Sequence, residues 1–198
     1  KSEWPKAKIG MACFSKYPIK KVKEVELSRD TYNGSSLYEI DIDGEKIMLL
    51  NNHLESNKFT ETDKKMYRNT IKNLTLDNID SVKQRLMLKM DKAAKKRAQQ
   101  ADHLSEVIAE FGDKIIVCGD FNDTPMSYIY HTIRGDMKDA YVETGFGPGI
   151  TYHENGFWFR IDHLLYGEAF KALSCKIGNK KYSDHYPLLV KLSLKKDR

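Results

Sequence analysis

Ile115-Ile116-Val117-Cys118-Gly119-Asp120-Phe121-Asn122-Asp123-Thr124-Pro125 carries an apolar run straight into a polar, glycine-containing end. A short apolar run bounded by turn residues reads as a buried strand, and its polar end as a strand terminus that bears a site. In an extended segment, side chains two apart share a face, so Asp120 and Asn122 are expected to point together while Phe121 turns into the core. A carboxylate supplies a hard oxygen suited to magnesium or to orienting a water, and a carboxamide binds a phosphate oxygen or positions a nucleophile. The competing reading is an Asx turn or helix cap leading into Pro125, which suits Asp123 or Thr124 better than Asp120 and Asn122.

Upstream, Ile9 to Phe14, Ser36 to Ile42 and Lys46 to Asn51 read as strands. Asp43-Gly44 between the last two suits the positive φ angles of a tight hairpin turn. Further strand signals lie near Tyr152 and over Ile161 to Tyr166, Ala172 to Ile177 and Leu188 to Leu194. A long helix is expected from the recurrence of Leu86, Met90, Ala94, Ala101, Leu104, Ile108 and Phe111 on one face, ended by Gly112-Asp113. A shorter helix is expected from Asp63 to about Leu74, and another after Pro125. Strands followed by a packing helix and more strands suggest a layered α/β sandwich.

The 198 residues suit a single domain (1–198), and 40% apolar with 31% charged residues argues against disorder. A net charge of +5 tilts encounters toward anionic partners without naming one. Cys13, Cys118 and Cys175 are odd in number and far apart, so neither a disulfide framework nor a structural zinc site is supported, and they read as buried thiols. No stretch approaches the ~18 to 20 apolar residues of a membrane span. From Lys83 to Arg97 seven Lys or Arg residues face one acid, Asp91. That run reads either as a clamp for an anionic backbone or surface or, preferably, as the solvated face of an amphipathic helix.

Three further strand ends carry polar pairs. Ser183-Asp184-His185-Tyr186-Pro187 precedes an apolar strand, with Asp184 a candidate oxygen ligand for a metal and His185 a candidate general base or phosphate ligand. In Phe157-Trp158-Phe159-Arg160-Ile161-Asp162 the last carboxylate sits in an aromatic, strand-like run and needs a partner. His185 is the obvious candidate, giving a dyad that fixes the imidazole tautomer; the competing reading is a salt bridge to Arg160. His163 reads as a structural polar residue, and Asp102-His103 as helix surface. In Leu49-Leu50-Asn51-Asn52-His53-Leu54-Glu55, Asn51 and His53 share a face, and His53 either donates to a phosphate or leaving oxygen or caps the sheet edge.

Together and in this order, Asn51-Asn52-His53-Leu54, Gly119-Asp120-Phe121-Asn122, Arg160-Ile161-Asp162 and Ser183-Asp184-His185-Tyr186-Pro187 resemble the endonuclease/exonuclease/phosphatase family, also called deoxyribonuclease I-like. Gly10 to Ile19 also looks like a family strand, and the chain is most similar to bacterial members. The resemblance implies a four-layer α/β-β/α sandwich and hydrolysis of a phosphoester by a water activated with Mg2+ or Mn2+. It implies that Asp120 orients or deprotonates the water and Asn122 holds water and phosphate. By the same resemblance, His185 paired with Asp162 assists at the phosphoryl group, and His53 contacts the phosphate or supports departure. Asp184 and Asp120 are then the metal ligands, and Asn51 and Arg160 the substrate-binding residues.

In the family pattern an Asn, the chief metal-binding Glu and an acidic partner for His53 lie upstream of anything present here. The chain is therefore expected to be an N-terminally truncated, C-terminal portion of the fold, completed by another segment or by self-association. The leading expectation is a nuclease-like phosphodiesterase. Alternatives are a lipid phosphodiesterase, a sugar-phosphate or phosphoinositide phosphatase, or a noncatalytic anion-binding module. Localisation is open, since a targeting or membrane segment can lie upstream.

Overall fold

The computed structural model describes residues 10–27, 33–72, 76–154, 156–180 and 182–195. In chain order the elements are β1 (Ile19–Val25), β2 (Gly34–Ile42), β3 (Glu45–His53), α1 (Glu61–Lys72), α2 (Leu76–Ala109) and β4 (Ile115–Asp120). There follow α3 (Tyr128–Arg134), β5 (Lys138–Asp139), α4 (Ala140–Thr144), β6 (Asp162–Tyr166), β7 (Phe170–Ile177) and β8 (Leu188–Leu194).

β2 and β3 form the expected hairpin, and Asp43 (φ 54°) and Gly44 (φ 90°) both take the left-handed conformation that such a turn demands. β3 then pairs in parallel with β4, a geometry that no tight turn can make; α1 and α2 supply the crossover. Among the described residues the large sheet has the order β1-β2-β3-β4-β6-β5, and β7 and β8 form a separate two-stranded sheet.

One face of the large sheet buries Leu37, Leu50 and Val117 against Ala101, Leu104 and Val107 of α2 and Ile129 and Ile133 of α3. Its other face sets Ile47 and Tyr166 against Ala140, Phe170, Ala172 and Cys175, so the β7-β8 hairpin packs sheet on sheet. Helices, large sheet and small sheet thus stack in the order of an α/β-β sandwich.

Several elements depart from expectation. Ile9 lies outside the described residues, and Gly10 to Phe14 form no strand; the strand is β1, at Ile19–Val25. Its Lys-rich sequence hides the period-2 signal because it is an edge strand, buried only at Val25, and edge strands gain from charge. The end expected for the short helix, Leu74, also lies outside the described residues. β5 and α4 span only two and five residues, too short for periodicity to register. On α2 the buried positions include Val82, Ala93, Arg97, Gln100, Ala101, Leu104 and Val107, while Met90 is half exposed. Only the second half of that helix lies on the sheet; the first half packs on α1.

Candidate active site

The register of three adjacent strands builds the site. His53 on β3 pairs with Asp120 on β4, and Asp120 pairs with Asp162 on β6, so three functional groups from distant motifs stand in one row across the sheet end. Gly119 allows the close approach: its φ is 132°, and a Cβ there would lie 1.9 Å from the backbone oxygen of Asn52. His185 joins the row through a backbone bridge to Tyr152 just before β8. Its Nδ1 lies 2.7 Å from Asp162 Oδ2, a hydrogen bond of charge-assisted length. Asp120 Oδ2 sits 3.9 Å from both His185 Nε2 and His53 Nε2. That distance exceeds a direct hydrogen bond and fits one intervening oxygen.

Asn122 reaches the site by a different route from strand alternation. β4 ends at Asp120, and Asn122 has φ 51°, so a left-handed turn folds it back. Its backbone N–H donates to Asp120 Oδ1 at 2.7 Å, and its amide donates to Leu54 O at 3.1 Å and to Asp120 Oδ2 at 3.2 Å. Asn122 therefore orients Asp120 directly, with its Nδ2 engaged by protein oxygens. Phe121 is fully buried, as its position in the strand end demands.

The electrostatics follow from crowding. Burial and the neighbouring Asp162 charge push the Asp120 carboxyl up to about 7, against the opposing pull of His185, the Asn122 N–H and Arg97. Burial lowers the pKa of His53, and the adjacent His185 lowers it further. Burial also pulls His185 down, but the hydrogen bond and charge of Asp162, with Asp120 and Asp184, outweigh it and leave the imidazole more basic than usual.

A cleft of about 520 Å³ opens over this row, lined by His53, Asp120, Asn122 and His185 and, further out, by Lys58, Phe159 and Asp184. The volume falls in the range of small-molecule sites, roughly 300–1,000 Å³.

Two expected substrate contacts are placed elsewhere. The Arg160 guanidinium is buried and held 2.8 Å from Asp139, and does not line the cleft. Asp139 also accepts the Tyr130 hydroxyl at 2.7 Å and caps α4, so Arg160 neutralises a buried carboxylate that local sequence gives no hint of. Asn51 sits one row back, in register with Cys118, with Oδ1 4.0 Å from its sulfur. Asp184 does line the cleft, but its carboxylate accepts the Ser183 hydroxyl. Among the described residues, Asp120, Asp162 and His185 form the group whose ligand atoms lie within 4.8 Å of one another; Asp184 is not part of it. His163 is buried between Phe121 and Tyr130, and its Nε2 donates to Asp123 O.

Two positioning residues escape sequence reasoning. Arg97, inside the basic run, is buried; its Nε and Nη2 lie 3.0 Å from Asp123 Oδ2, and Nη1 donates to Glu55 O and Asn57 Oδ1. It ties the loop after His53 to the loop after Asp120. Its neighbours Arg85 and Lys89 are likewise engaged, by the buried Asp63. Thr151, fully buried, accepts the N–H groups of Ile161 and Asp162 through its hydroxyl, both at 3.1 Å, and so sets the start of β6. The long basic run, read as an anion clamp or as a solvated face, concealed Arg97; nothing in the sequence marks Thr151.

The model of the Endonuclease/Exonuclease/phosphatase family matches residues 2–185. The chain belongs to this family. Comparison with curated proteins returns no match. Among solved structures, an endonuclease/exonuclease/phosphatase family protein from Bacteroides thetaiotaomicron is similar with TM-score 0.60 and 16% identity, over 92% of this chain and 68% of that one. A mannosyl-6-phosphatase from the same organism is similar with TM-score 0.54 and 16% identity, over 89% and 67%. The human Nocturnin catalytic domain with bound sulfate is similar with TM-score 0.55 and 17% identity, over 89% and 60%. The fold is thus that of the deoxyribonuclease I-like family, and this chain spans about two thirds of the length of these neighbours.

Members of the family are phosphoester hydrolases and generally depend on a divalent metal. The donor set here suits a hard cation: two crowded carboxylates, one of them pushed toward neutrality by burial and by the other's charge, with an imidazole alongside. No helix among the described residues is long and apolar enough to cross a membrane.

Proposed function

We propose that this chain hydrolyses phosphoesters with the help of Mg2+ or Mn2+, cleaving phosphodiesters in the manner of a nuclease. The observation that carries the reading is the row His53, Asp120, Asp162, with His185 set 3.9 Å from Asp120 and with His53, Asp120 and His185 lining one cleft. Asp120 and Asp162 would hold the cation, which would supply Lewis-acid stabilisation of charge on the phosphoryl oxygens.

The protein's own groups do the rest. Asp120, poised near neutrality, takes a proton from the attacking water lodged between it and the imidazoles. Asn122 holds Asp120 in the orientation this requires. Protonated His185, steadied by Asp162, donates to a phosphoryl oxygen. His53, kept neutral, offers an N–H toward the leaving oxygen.

The test uses bis(p-nitrophenyl) phosphate. Turnover is expected with Mg2+ or Mn2+, to be abolished by EDTA, and to fall at least about 100-fold in His185→Ala. Binding of inorganic phosphate without any turnover in the folded chain would instead make it an anion-binding module. An unchanged rate in folded His185→Ala would remove the proposed role.

A further inference from the structure

Both halves of the Asp162–His185 pair are referenced to one short segment, Thr151 to His153. The Thr151 hydroxyl accepts the Asp162 N–H at 3.1 Å. Tyr152 stands opposite His185 in an isolated antiparallel bridge. Two backbone bonds bracket that bridge: Tyr186 N donates to Thr151 O at 2.7 Å, and His153 N donates to Asp184 O at 3.1 Å. So short a pairing is marginal by itself, since an independently stable sheet needs three or more strands or a packed apolar face. The chain that leads into it lends little support. Ser183 and Asp184 are exposed, and Ser183 Oγ bonds inside the loop, donating to Asp184 and accepting from His185 N.

Successive side chains of an extended segment project to opposite sides. Tyr152 and His185 share the cleft side, where the Tyr152 ring meets the His185 ring edge-on at 5.0 Å. His153 and Tyr186 do not line the cleft; their rings lie flat on each other, with centroids 3.8 Å apart and planes at 11°. The stack runs diagonally across the bridge, from the residue after Tyr152 to the residue after His185. Diagonal aromatic neighbours of this kind resist both sliding and parting of the two segments. His153 is 9% exposed, and its Nδ1 is buried with no hydrogen-bond partner among the described residues. A buried nitrogen left unpaired destabilises, so contact with Tyr186 is what fixes the ring.

We infer that His153 is a positioning residue: its ring, stacked on Tyr186, clamps the bridge from behind and holds His185 Nδ1 at 2.7 Å from Asp162. Its bearing on catalysis rests on the proposed role of His185. His153 touches neither member of the dyad through a hydrogen bond, so it acts through the backbone that carries them. Without the stack, the Asp184–Tyr186 segment is free to shift, and the imidazole loses its register with Asp162.

The test reads the His185–Asp162 hydrogen bond directly, in EDTA and without substrate. A proton held between Nδ1 and a carboxylate gives a far-downfield proton NMR signal, assigned here by its loss in His185→Ala. The signal is expected in the wild type and in His153→Phe, which keeps a stacking ring and removes the unpaired nitrogen. In His153→Leu, which fills the space without a ring, it is expected to broaden away while circular dichroism stays that of a folded chain. Turnover of bis(p-nitrophenyl) phosphate should follow the same order, with kcat about tenfold lower and KM within about twofold in His153→Leu, and both near wild type in His153→Phe. Absence of the signal from the wild type, its survival in His153→Leu or its loss in His153→Phe would each overturn the inference. If His153→Leu does not fold, Tyr186→Leu removes the same stack from the other side and is judged by the same outcomes. The expected NMR pattern with no turnover in any variant would sink the hydrolytic reading alone.

Discussion

In the proposed reaction Asp120 is the residue on which the chemistry turns, because its protonation decides whether the cleft holds a base or an acid. Burial and the charge of Asp162 raise it to about 7, far above the ~3.9 of a free aspartate. In the metal-free protein the carboxyl is therefore expected to titrate near 7 rather than 4, and a bound cation to lower it. In Asp162→Asn the repelling charge is gone, so the metal-free titration should move to lower pH. NMR of the aspartate carboxyls in EDTA from pH 3 to 9 measures both; a wild-type titration near pH 4 would show that the crowding does not raise Asp120.

At the scale of elements, the site depends on how closely β3 and β4 approach and on how their exits are tied. Gly119→Ala would drive a Cβ into the Asn52 backbone, and replacing backbone contact by overlap is expected to cost about 3 kcal/mol. Thermal unfolding would register it; an unchanged melting temperature would mean the strands part without cost. Arg97 acts from α2 across both loops. Its replacement by Ala leaves Asp123 without its buried partner, with an expected stability loss on the order of 3 kcal/mol. Misplacing His53 relative to Asp120 should also lower kcat more than tenfold. Arg97→Lys keeps the charge but not the three-pronged geometry, so only part of the loss should be recovered. Full activity in Arg97→Ala would show that the loops hold without it.

For the whole molecule, the imidazole of His163 links the site to acid stability. Burial holds its pKa well below the usual value near 6.5. The unfolded chain therefore binds a proton that the folded one resists. That contribution is complete above about pH 6.5 and is lost as pH falls below it. Urea denaturation at pH 7.5 and 5 should show the decline, and His163→Gln, which keeps a donor toward Asp123 O, should flatten it. A variant with the wild-type pH slope would assign the acid sensitivity to other groups.

Some of this was written in local sequence. The Asp43-Gly44 turn, the runs that became β2, β3, β4, β6, β7 and β8, and the second half of α2 are legible because periodicity and turn chemistry act over a few residues. The four polar strand ends were legible for the same reason: each breaks an apolar run. Tertiary structure decided the rest. Only the register of β3, β4 and β6 brings His53, Asp120 and Asp162 into one row, and only the left-handed turn at Asn122 folds its amide onto Asp120. Asp139 claimed Arg160 from 21 residues away, and two loops claimed Arg97 from the middle of a basic run. A buried charge settles on whichever opposite charge the packing brings near, and that choice is made in space, beyond the reach of spacing along the chain.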